Sequence, residues 1–371
     1  MFFNAQEKYQ KDEYEKFLKI VGSLSNLFSE SQIPYLYYRV AEKIFCKAFD
    51  AEDLSRSDVS ADAKKQNLGI GLKTFLAGNN KTFQKIAEFG KDKELYLNLP
   101  LEDKIRTIAK LRNSRIEFTQ RVHNLENSIY HCVVRDNLKF KIFEEDMKLI
   151  NTSKIKNIKE NRGSISFDDG EEEYSFLTSK NTLTKRFNSV NTIYEFNIDI
   201  LENPLDILDG YLNKIDRFNL KQKNSYQTIY LPLYGKNHIV YERSGLNQWN
   251  AKGRKRDKNE VYIPIPAIIH KKYPDFFPAR DKPFDLRLPN GKIMKSKICQ
   301  DGGKALMSYS NKELGEWILR EVLKLDDGEL LTYEKLQILG IDSVRIDKID
   351  DTNFEINFSS NSSRILDRFL A

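Results

Sequence analysis

Three residues near the N-terminal end of the sequence have side chains suited to phosphodiester hydrolysis: Asp62, Lys73 and Glu88. Two carboxylates can hold a hard divalent cation through oxygen ligands. A lysine ammonium can orient the attacking water or stabilise the charge that develops on phosphate. Asp58 is an alternative to Asp62 as the first acid. Each residue alone has an ordinary interpretation as a turn or surface residue, so the prediction of a metal-dependent phosphodiesterase depends on their combination.

The local pattern predicts which elements carry these side chains. Leu68–Phe75 alternates as a strand that places Lys73 beside Gly71, where the missing side chain leaves room for a phosphate. Thr82 is predicted to cap a following helix that carries Glu88. A nucleotide-binding loop is a weaker alternative, because the stretch lacks both the dinucleotide fingerprint and the GK[ST] ending.

Two helices are predicted before this stretch. Residues 6–29 and Tyr35–Phe49 both carry apolar side chains at spacings of three and four. Glu42 lies between apolar positions of the second helix. Its ordinary interpretation is a solvated surface glutamate, and the alternative is a further acid of the same site.

The stretch resembles the PD-(D/E)xK nucleases, in the branch whose second acid has moved from the strand to the following helix. The resemblance implies a Mg²⁺-dependent nuclease domain of the α/β (α+β) class. It implies Asp62 and Glu88 as catalytic metal ligands, Lys73 as the motif lysine and Glu42 as an additional acid. The sequence departs from the pattern at Ala61, which replaces the proline, and at Gly71, which stands in place of the usual glutamate.

Composition indicates a protein of two domains. The chain has 371 residues, which exceeds one typical core. It carries a formal charge of +6 with 31% charged residues, a balance that permits nucleic-acid binding. The three cysteines are isolated in sequence, which predicts a reducing cytoplasm and no disulfides. The first residues do not form a signal-peptide pattern, and no apolar run has the length of a membrane span, so no membrane association is expected.

The middle of the sequence is predicted to change from helices to short strands. Residues 101–112 and 116–134 have helical periodicity, and residues 91–150 as a whole are predicted to be mainly helical. Ser164–Asp168 and Tyr174–Leu177 are predicted to form a hairpin around Asp169-Gly170. Thr182–Phe187 is predicted to be a short helix or turn. The predicted organisation is a catalytic domain at 1–190, a linker at 191–225, a DNA-binding domain at 226–360 and a tail at 361–371.

A polar, basic segment in the second half is a candidate for DNA contact. Ser244–Glu260 combines glycines, amides, a tryptophan and many cations. Arginine can read guanine, asparagine and glutamine can read adenine, and lysine can pair with phosphate. The ordinary alternative is a flexible basic loop. The candidate DNA-binding residues are Asn247, Gln248, Trp249, Asn250, Lys252, Arg254, Lys255 and Arg256.

Short strands are predicted around this segment, with two helices at Asn311–Val322 and Thr332–Leu339. The predicted strands are Tyr226–Leu233, Val261–Ile265, Phe284–Leu288, Ile293–Cys299, Val344–Ile349 and Phe354–Phe358.

Residues 227–360 resemble the C-terminal B3-type DNA-binding domain of NgoFVII- and BfiI-like restriction endonucleases, which is related in fold to the EcoRII effector domain. The blocks that carry the resemblance are SGLNQWNAKGRKRDKNEVYIPIP, HKKYPDFFP, FDLRLPNGK, KICQDGGKALMS, NKELGEWILREVLKL and LTYEKLQILGIDSVRI. The resemblance implies an all-β-rich, seven-stranded pseudobarrel that grips the major groove of DNA with two arms. Asn247–Arg256 would be the first arm, and the segment from Gln300–Lys304 to Ser308–Asn311 would form or support the second, with Lys304 as a DNA contact.

Together these features predict a type II site-specific deoxyribonuclease of a restriction-modification system, with double-stranded DNA as substrate and Mg²⁺ as cofactor. A homodimer is expected, because double-strand cleavage needs two active centres and two-fold sites suit symmetric proteins. A cognate DNA methyltransferase is expected in the same system. The alternatives are a non-catalytic DNA-binding regulator and a methylation-dependent nuclease.

Overall fold

The computed structural model describes residues 1–55, 59–212 and 227–360. The chain divides into two compact units. The first unit consists of Met1–Ile116 and Leu125–Gln222, and the second of Glu117–Asn124 and Lys223–Ala371. Asp58, positions 213–225 of the predicted linker and the predicted tail at 361–371 lie outside the described residues.

The first unit contains six α-helices and eleven strands in its described part. The helices are α1 (Phe2–Ala5), α2 (Lys8–Ser23), α3 (Tyr38–Phe49), α4 (Lys93–Tyr96), α5 (Leu101–His123) and α6 (Pro204–Leu212), and α5 contributes its last residues to the second unit. The strands are β1 (Glu52–Asp53), β2 (Ala63–Lys65), β3 (Leu68–Leu76), β4 (Lys81–Glu88), β5 (Asn127–Asp136), β6 (Lys139–Asp146), β7 (Lys156–Asn161), β8 (Ser164–Asp168), β9 (Glu173–Leu177), β10 (Thr182–Asn188) and β11 (Tyr194–Asn197).

These strands form two sheets. The six-stranded sheet has the order β1-β2-β3-β5-β6-β11, and the five-stranded sheet has the order β4-β10-β9-β8-β7. Strands β3 and β5 are parallel, so the chain must cross over between them, and α5 lies in that connection. The other pairs are antiparallel.

Apolar clusters cover both faces of the central strand β3. Ile70 and Leu72 pack with side chains of α2 and α3, including Leu18 and Phe45. From the other face, Phe75 packs with side chains of β5 and α5 and with one side chain of β10. Because successive side chains of a strand alternate between faces, Lys73 shares the face of Phe75 and not that of Leu72.

The predicted helices at 6–29 and 35–49, the strand at 68–75 and the hairpin at 164–177 are confirmed as α2, α3, β3 and β8–β9. The predicted helix after Thr82 is wrong, because Lys81–Glu88 is the strand β4 and pairs with Thr182–Asn188. That pairing also makes Thr182–Phe187 a strand and not a short helix. These pairs join residues far apart in sequence, so local periodicity did not detect them.

The second predicted helix of the middle region, at 116–134, is wrong over its last part. Helix α5 ends at His123, and Asn127–Asp136 forms the strand β5. The prediction of a mainly helical 91–150 is therefore wrong beyond Asn124. The segment Tyr130–Val134 of β5 is buried on both faces of the sheet, and such a short buried run does not distinguish strand from helix by period alone.

The second unit contains a nearly closed, barrel-like sheet of seven strands in the described ranges. Its strands are β12 (Gln227–Pro232), β13 (Ile263–Pro264), β14 (Phe284–Arg287), β15 (Ile293–Cys299), β16 (Ala305–Ser308), β17 (Ser343–Lys348) and β18 (Asn353–Ser359). Their order is β12-β17-β18-β14-β15-β16-β13, and only β14 and β18 pair in parallel. The six predicted strands are confirmed, with shifts of one or two residues at most of their ends, and β16 was missed.

The helices of this unit are α7 (Ala267–Lys272), α8 (Glu313–Gly315), which continues as the π-helix Glu316–Val322, and α9 (Tyr333–Leu339). They confirm the two predicted helices. The Thr332 hydroxyl caps α9 by accepting a hydrogen bond from the Lys335 N–H. One apolar cluster fills the barrel, with Trp317 and Phe358 among its buried side chains, and Phe118 packs against Phe358.

Candidate DNA-binding arm and acidic site

The connection from β12 to β13 contains the predicted basic segment, and we call Ser244–Glu260 the arm. Its first part is a short 3₁₀ helix, Gly245–Asn250. Leu246 is buried in the apolar cluster of the barrel, and Trp249 packs against that cluster. The arm is therefore anchored to the barrel at its beginning.

Asn247 serves this anchoring and does not face solvent. Its side chain is buried, at 1% exposure. The amide nitrogen donates to the carbonyl oxygens of Leu331 at 2.9 Å and Tyr241 at 3.2 Å, and the amide oxygen accepts from the Leu331 N–H at 2.9 Å. The predicted base contact of Asn247 is therefore not available in this conformation.

The far end of the arm is tied to the α8–π-helix region by polar contacts. Asp257 pairs with Lys312 at 3.3 Å, and Lys258 pairs with Asp327 at 2.6 Å. The Arg320 guanidinium donates to the Asn259 side chain at 2.9 Å. The pKa of Asp257 is lowered, chiefly because its carboxylate accepts the Asn259 N–H and then because of Lys312.

A buried glutamate at the end of the arm, Glu260, collects several arm side chains. It is 4% exposed. Arg254 donates to both of its oxygens, from Nη1 to Oε2 at 3.1 Å and from Nη2 to Oε1. Gln248 donates to Oε1 at 3.1 Å, and the Arg256 Nε lies 3.7 Å from the same oxygen. Glu260 was not among the predicted residues, although it is the only acid after Asp257 in the segment and directly precedes an apolar strand.

The remaining arm residues divide into exposed and half-buried side chains. Arg256 is half-buried and donates to the Ala251 carbonyl at 2.9 Å, so it holds the turn of the arm. Asn250, Lys252, Arg254 and Lys255 are exposed. The exposed edge of the arm thus carries three cations and an amide, which is the surface a negatively charged, hydrogen-bonding partner such as DNA would meet.

In the first unit, Asp62 lies near enough to Glu42 for its charge to act on the Glu42 carboxyl. Glu42 is buried on α3, and its pKa is raised by that burial and by the negative charge of Asp62. Arg39 donates to Glu42 Oε2 at 2.9 Å, and Asp62 Oδ2 accepts the N–H of Leu72 at 2.7 Å. Asp53, which was not among the predicted site residues, also raises the pKa of Glu42. Each carboxylate therefore keeps an oxygen that these contacts do not use.

Lys73 and Glu88 occupy other places. Lys73 is half-buried, with its Nζ 5.9 Å from the centre of the Tyr130 ring, and within the described ranges it forms no salt bridge. Glu88 ends β4 in the other sheet, is exposed, and pairs with Lys85 at 2.7 Å. In the described part of the chain, Glu88 shares no hydrogen bond with Asp62 and no ion pair with Lys73. The helix that was to carry the second acid is a strand.

The described residues contain no group of three or more histidine, cysteine, aspartate or glutamate side chains that could hold a metal ion. Their three cysteines are free. His131 is buried between Tyr14, at 3.0 Å, and Glu144, at 2.8 Å. Any divalent cation at Glu42 and Asp62 would thus be held by two carboxylates together with water or substrate.

Comparison with known families identifies the second unit. Residues 220–350 match the family model of the NgoFVII C-terminal B3-like DNA-binding domain. This segment is a restriction-enzyme-type DNA-binding domain. The resemblance predicted for the second half is thereby confirmed, and the barrel-like sheet agrees with it. No curated protein matches the sequence.

Within this B3-like domain, the Gln300–Lys304 part of the predicted second arm lies at the other end of a strand pair from the first arm. Because β13 and β16 are antiparallel, with Ile263 opposite Leu306, the arm precedes β13 beside the end of β16. The turn Gln300–Lys304 precedes β16 and therefore lies at the opposite end. Lys304 is exposed there, and its carbonyl accepts the Ile265 N–H at 2.8 Å.

Among the described residues, no helix has the length and apolar character needed to cross a membrane.

Proposed function

We propose that the protein is a sequence-specific endonuclease of the type II restriction class that cleaves double-stranded DNA. The observation that carries this proposal is the B3-like domain at 220–350, which comes from a restriction-enzyme family and presents a cationic arm. Positive charge binds the phosphate backbone, and side chains at base edges supply sequence preference. The arm offers both kinds of group in Lys252, Lys255, Arg254 and Asn250.

The cutting site is proposed to be the carboxylate pair Glu42 and Asp62 of the first unit. The pKa of Glu42 is raised by its burial and by the negative charge of Asp62, so a cation beside these two carboxylates is favourable. Magnesium is usually held by one or two carboxylates together with water and substrate phosphates, so this pair fits it. When bound, Mg²⁺ would act as a Lewis acid toward a DNA phosphate and lower the pKa of a bound water.

The protein's own residues would have distinct tasks. The Leu72 N–H fixes the orientation of the Asp62 carboxylate, and Arg39 fixes that of Glu42. Lys73 lies on the face of β3 opposite the one that packs with α3, so its predicted role, to stabilise negative charge on the phosphate during attack by water, stays a prediction. Glu88, predicted as a metal ligand from the sequence, stays a prediction, and Glu42 takes that place in the proposal.

The test is cleavage of a sequenced supercoiled plasmid by the purified full-length chain with Mg²⁺ or with EDTA. Discrete fragments in the Mg²⁺ reaction alone are expected. Asp62→Asn should lower cleavage at least a hundredfold and leave DNA binding within about twofold of wild type, and Lys73→Ala tests the predicted lysine in the same assay. Glu52→Gln, which changes an exposed acid of β1, serves as the matched control.

The outcomes separate the alternatives. Binding to one sequence without cleavage under any condition would indicate a regulator and refute the nuclease. Cleavage of methylated plasmid only would identify a methylation-dependent nuclease. Normal cleavage by Lys73→Ala would show that the lysine is not part of the site. We further propose a homodimer, since two strands need two active centres, and a partner methyltransferase that protects host DNA.

A further inference from the structure

Glu260 joins the arm's cations and amide to the barrel. Its carboxylate is buried, yet it contacts Arg254, Arg256 and Gln248, which lie at different points along the arm. A carboxylate removed from water is stable only when it is paired and hydrogen-bonded. The Glu260 carboxylate therefore needs these arm side chains as partners. The same contacts hold the arm side chains in one arrangement.

The geometry leaves Arg254 able to bind something else. A guanidinium has five N–H donors, and the contact with Glu260 uses one on each terminal nitrogen. Nε–H and the outer N–H groups stay unused by that contact, and the side chain is 59% exposed. A guanidinium held along one edge presents its other donors in a fixed direction. This is what bidentate recognition of the O6 and N7 atoms of guanine requires.

The other two partners of Glu260 support this arrangement. The Arg256 side chain is 17% exposed and donates to the carbonyl of Ala251 inside the arm. Gln248 lies in the 3₁₀ helix that anchors the arm to the barrel. Glu260 thus connects the anchored start of the arm, its turn and its exposed arginine.

We propose that Glu260 is a positioning residue for sequence recognition, which fixes the direction in which Arg254 presents its free donors to a base edge. The inference rests on the proposed function of the arm as the DNA reader. The inference predicts different effects on sequence specificity and on overall affinity for DNA. Loss of the carboxylate would free the arginines, which keeps or increases attraction to phosphates, while the oriented contact with a base is lost.

The test starts from the wild-type, full-length chain and a pool of duplexes with a randomised centre, in EDTA to prevent cleavage. The selected duplex and a scrambled duplex of equal length are then used to measure binding of each variant by fluorescence anisotropy. For Glu260→Gln we expect the ratio of the two affinities to fall about tenfold or more, the discrimination of one bidentate base contact. Affinity for the scrambled duplex should stay the same or rise.

Two further variants make the result decisive. Glu260→Asp keeps the charge and moves the carboxylate back by one methylene, so it should also lower the ratio; it decides the question if Glu260→Gln does not fold. Glu329→Gln makes the same charge change at an acid that pairs with Lys335, and its ratio should equal that of wild type.

The outcomes distinguish this inference from the proposed function. If the wild-type chain selects no sequence, the proposed reader function fails. If it selects one and both Glu260 variants keep the wild-type ratio, the inference is wrong. An equal loss of affinity for both duplexes would show that Glu260 only maintains the fold, which also overturns the inference.

Discussion

Asn247→Ala is expected to damage the fold of the second unit and not a base contact. The change removes three hydrogen bonds of a side chain that is 1% exposed. Tyr241 is exposed, so water can replace the bond to its carbonyl. Leu331 is buried, and its N–H and C=O would lose their partners inside the protein. A buried group without a partner costs about 1–3 kcal/mol, so two of them lower the free energy of unfolding by about 3 kcal/mol.

The assay can report on this unit alone. Both tryptophans of the chain, Trp249 and Trp317, belong to it, so intrinsic fluorescence during urea titration follows its unfolding. Asn250→Ala is the matched control, because Asn250 is exposed and only three positions away, and its effect should stay within about 0.5 kcal/mol. If Asn247→Ala unfolds like wild type and instead weakens binding to the selected duplex, our structural assignment is wrong and the residue reads a base.

Two more predictions concern the first unit. Glu42→Gln should raise the melting temperature of this unit at pH 7 without Mg²⁺. The pKa of the Glu42 carboxyl is raised in the folded chain above its ordinary value of 4.5. The wild-type unit therefore loses stability as the pH rises above 4.5 and the carboxyl ionises. The difference in melting temperature between variant and wild type should vanish below pH 4.5 and reverse when Mg²⁺ is added. A difference that stays the same across pH would contradict the raised pKa of Glu42. Lys185→Met should destabilise this unit by about 2 kcal/mol, measured by circular dichroism, because the 2%-exposed ammonium pairs with Glu145 and Glu172, at 2.5 and 3.0 Å, and its loss leaves two acids side by side. Lys180→Met, at an exposed position before the same strand, should have little effect, and equal effects of the two changes would refute the role of burial.

The elements that sequence predicted well are those whose pattern is local. Helix α3 has a clear apolar face, and β15 has strict alternation, with Met294, Ser296 and Ile298 buried and Lys295 exposed. In both cases one face is buried and the other is not, so periodicity alone gives the type of element and, for β15, also its bounds.

The elements that were missed depend on distant partners. Strand β4 exposes or half-buries all its residues, so it has no apolar period, and only its pairing with β10 makes it a strand. Strand β5 is buried on both faces, which removes the alternation that would have marked it. The short strand β16 was missed for the same reason, because all its residues are buried. An alternation of buried and exposed residues therefore fails to identify both kinds of strand. A strand buried on both faces has no exposed residues to alternate, and a strand in a solvated sheet has no buried ones.

The same distinction applies to the functional residues. Composition located the arm, because cations and amides cluster in sequence, but it could not separate the side chains that face solvent from those that hold the arm in place. Asn247 and Arg254 are both plausible base readers by residue type. In the structure, the Asn247 side chain is bonded to the buried backbone of Leu331. The Arg254 side chain stays exposed and pairs with Glu260. An arm that reads DNA must be rigid before it can be selective, so some of its polar residues must face inward. Which residues those are is decided by the barrel on which the arm rests.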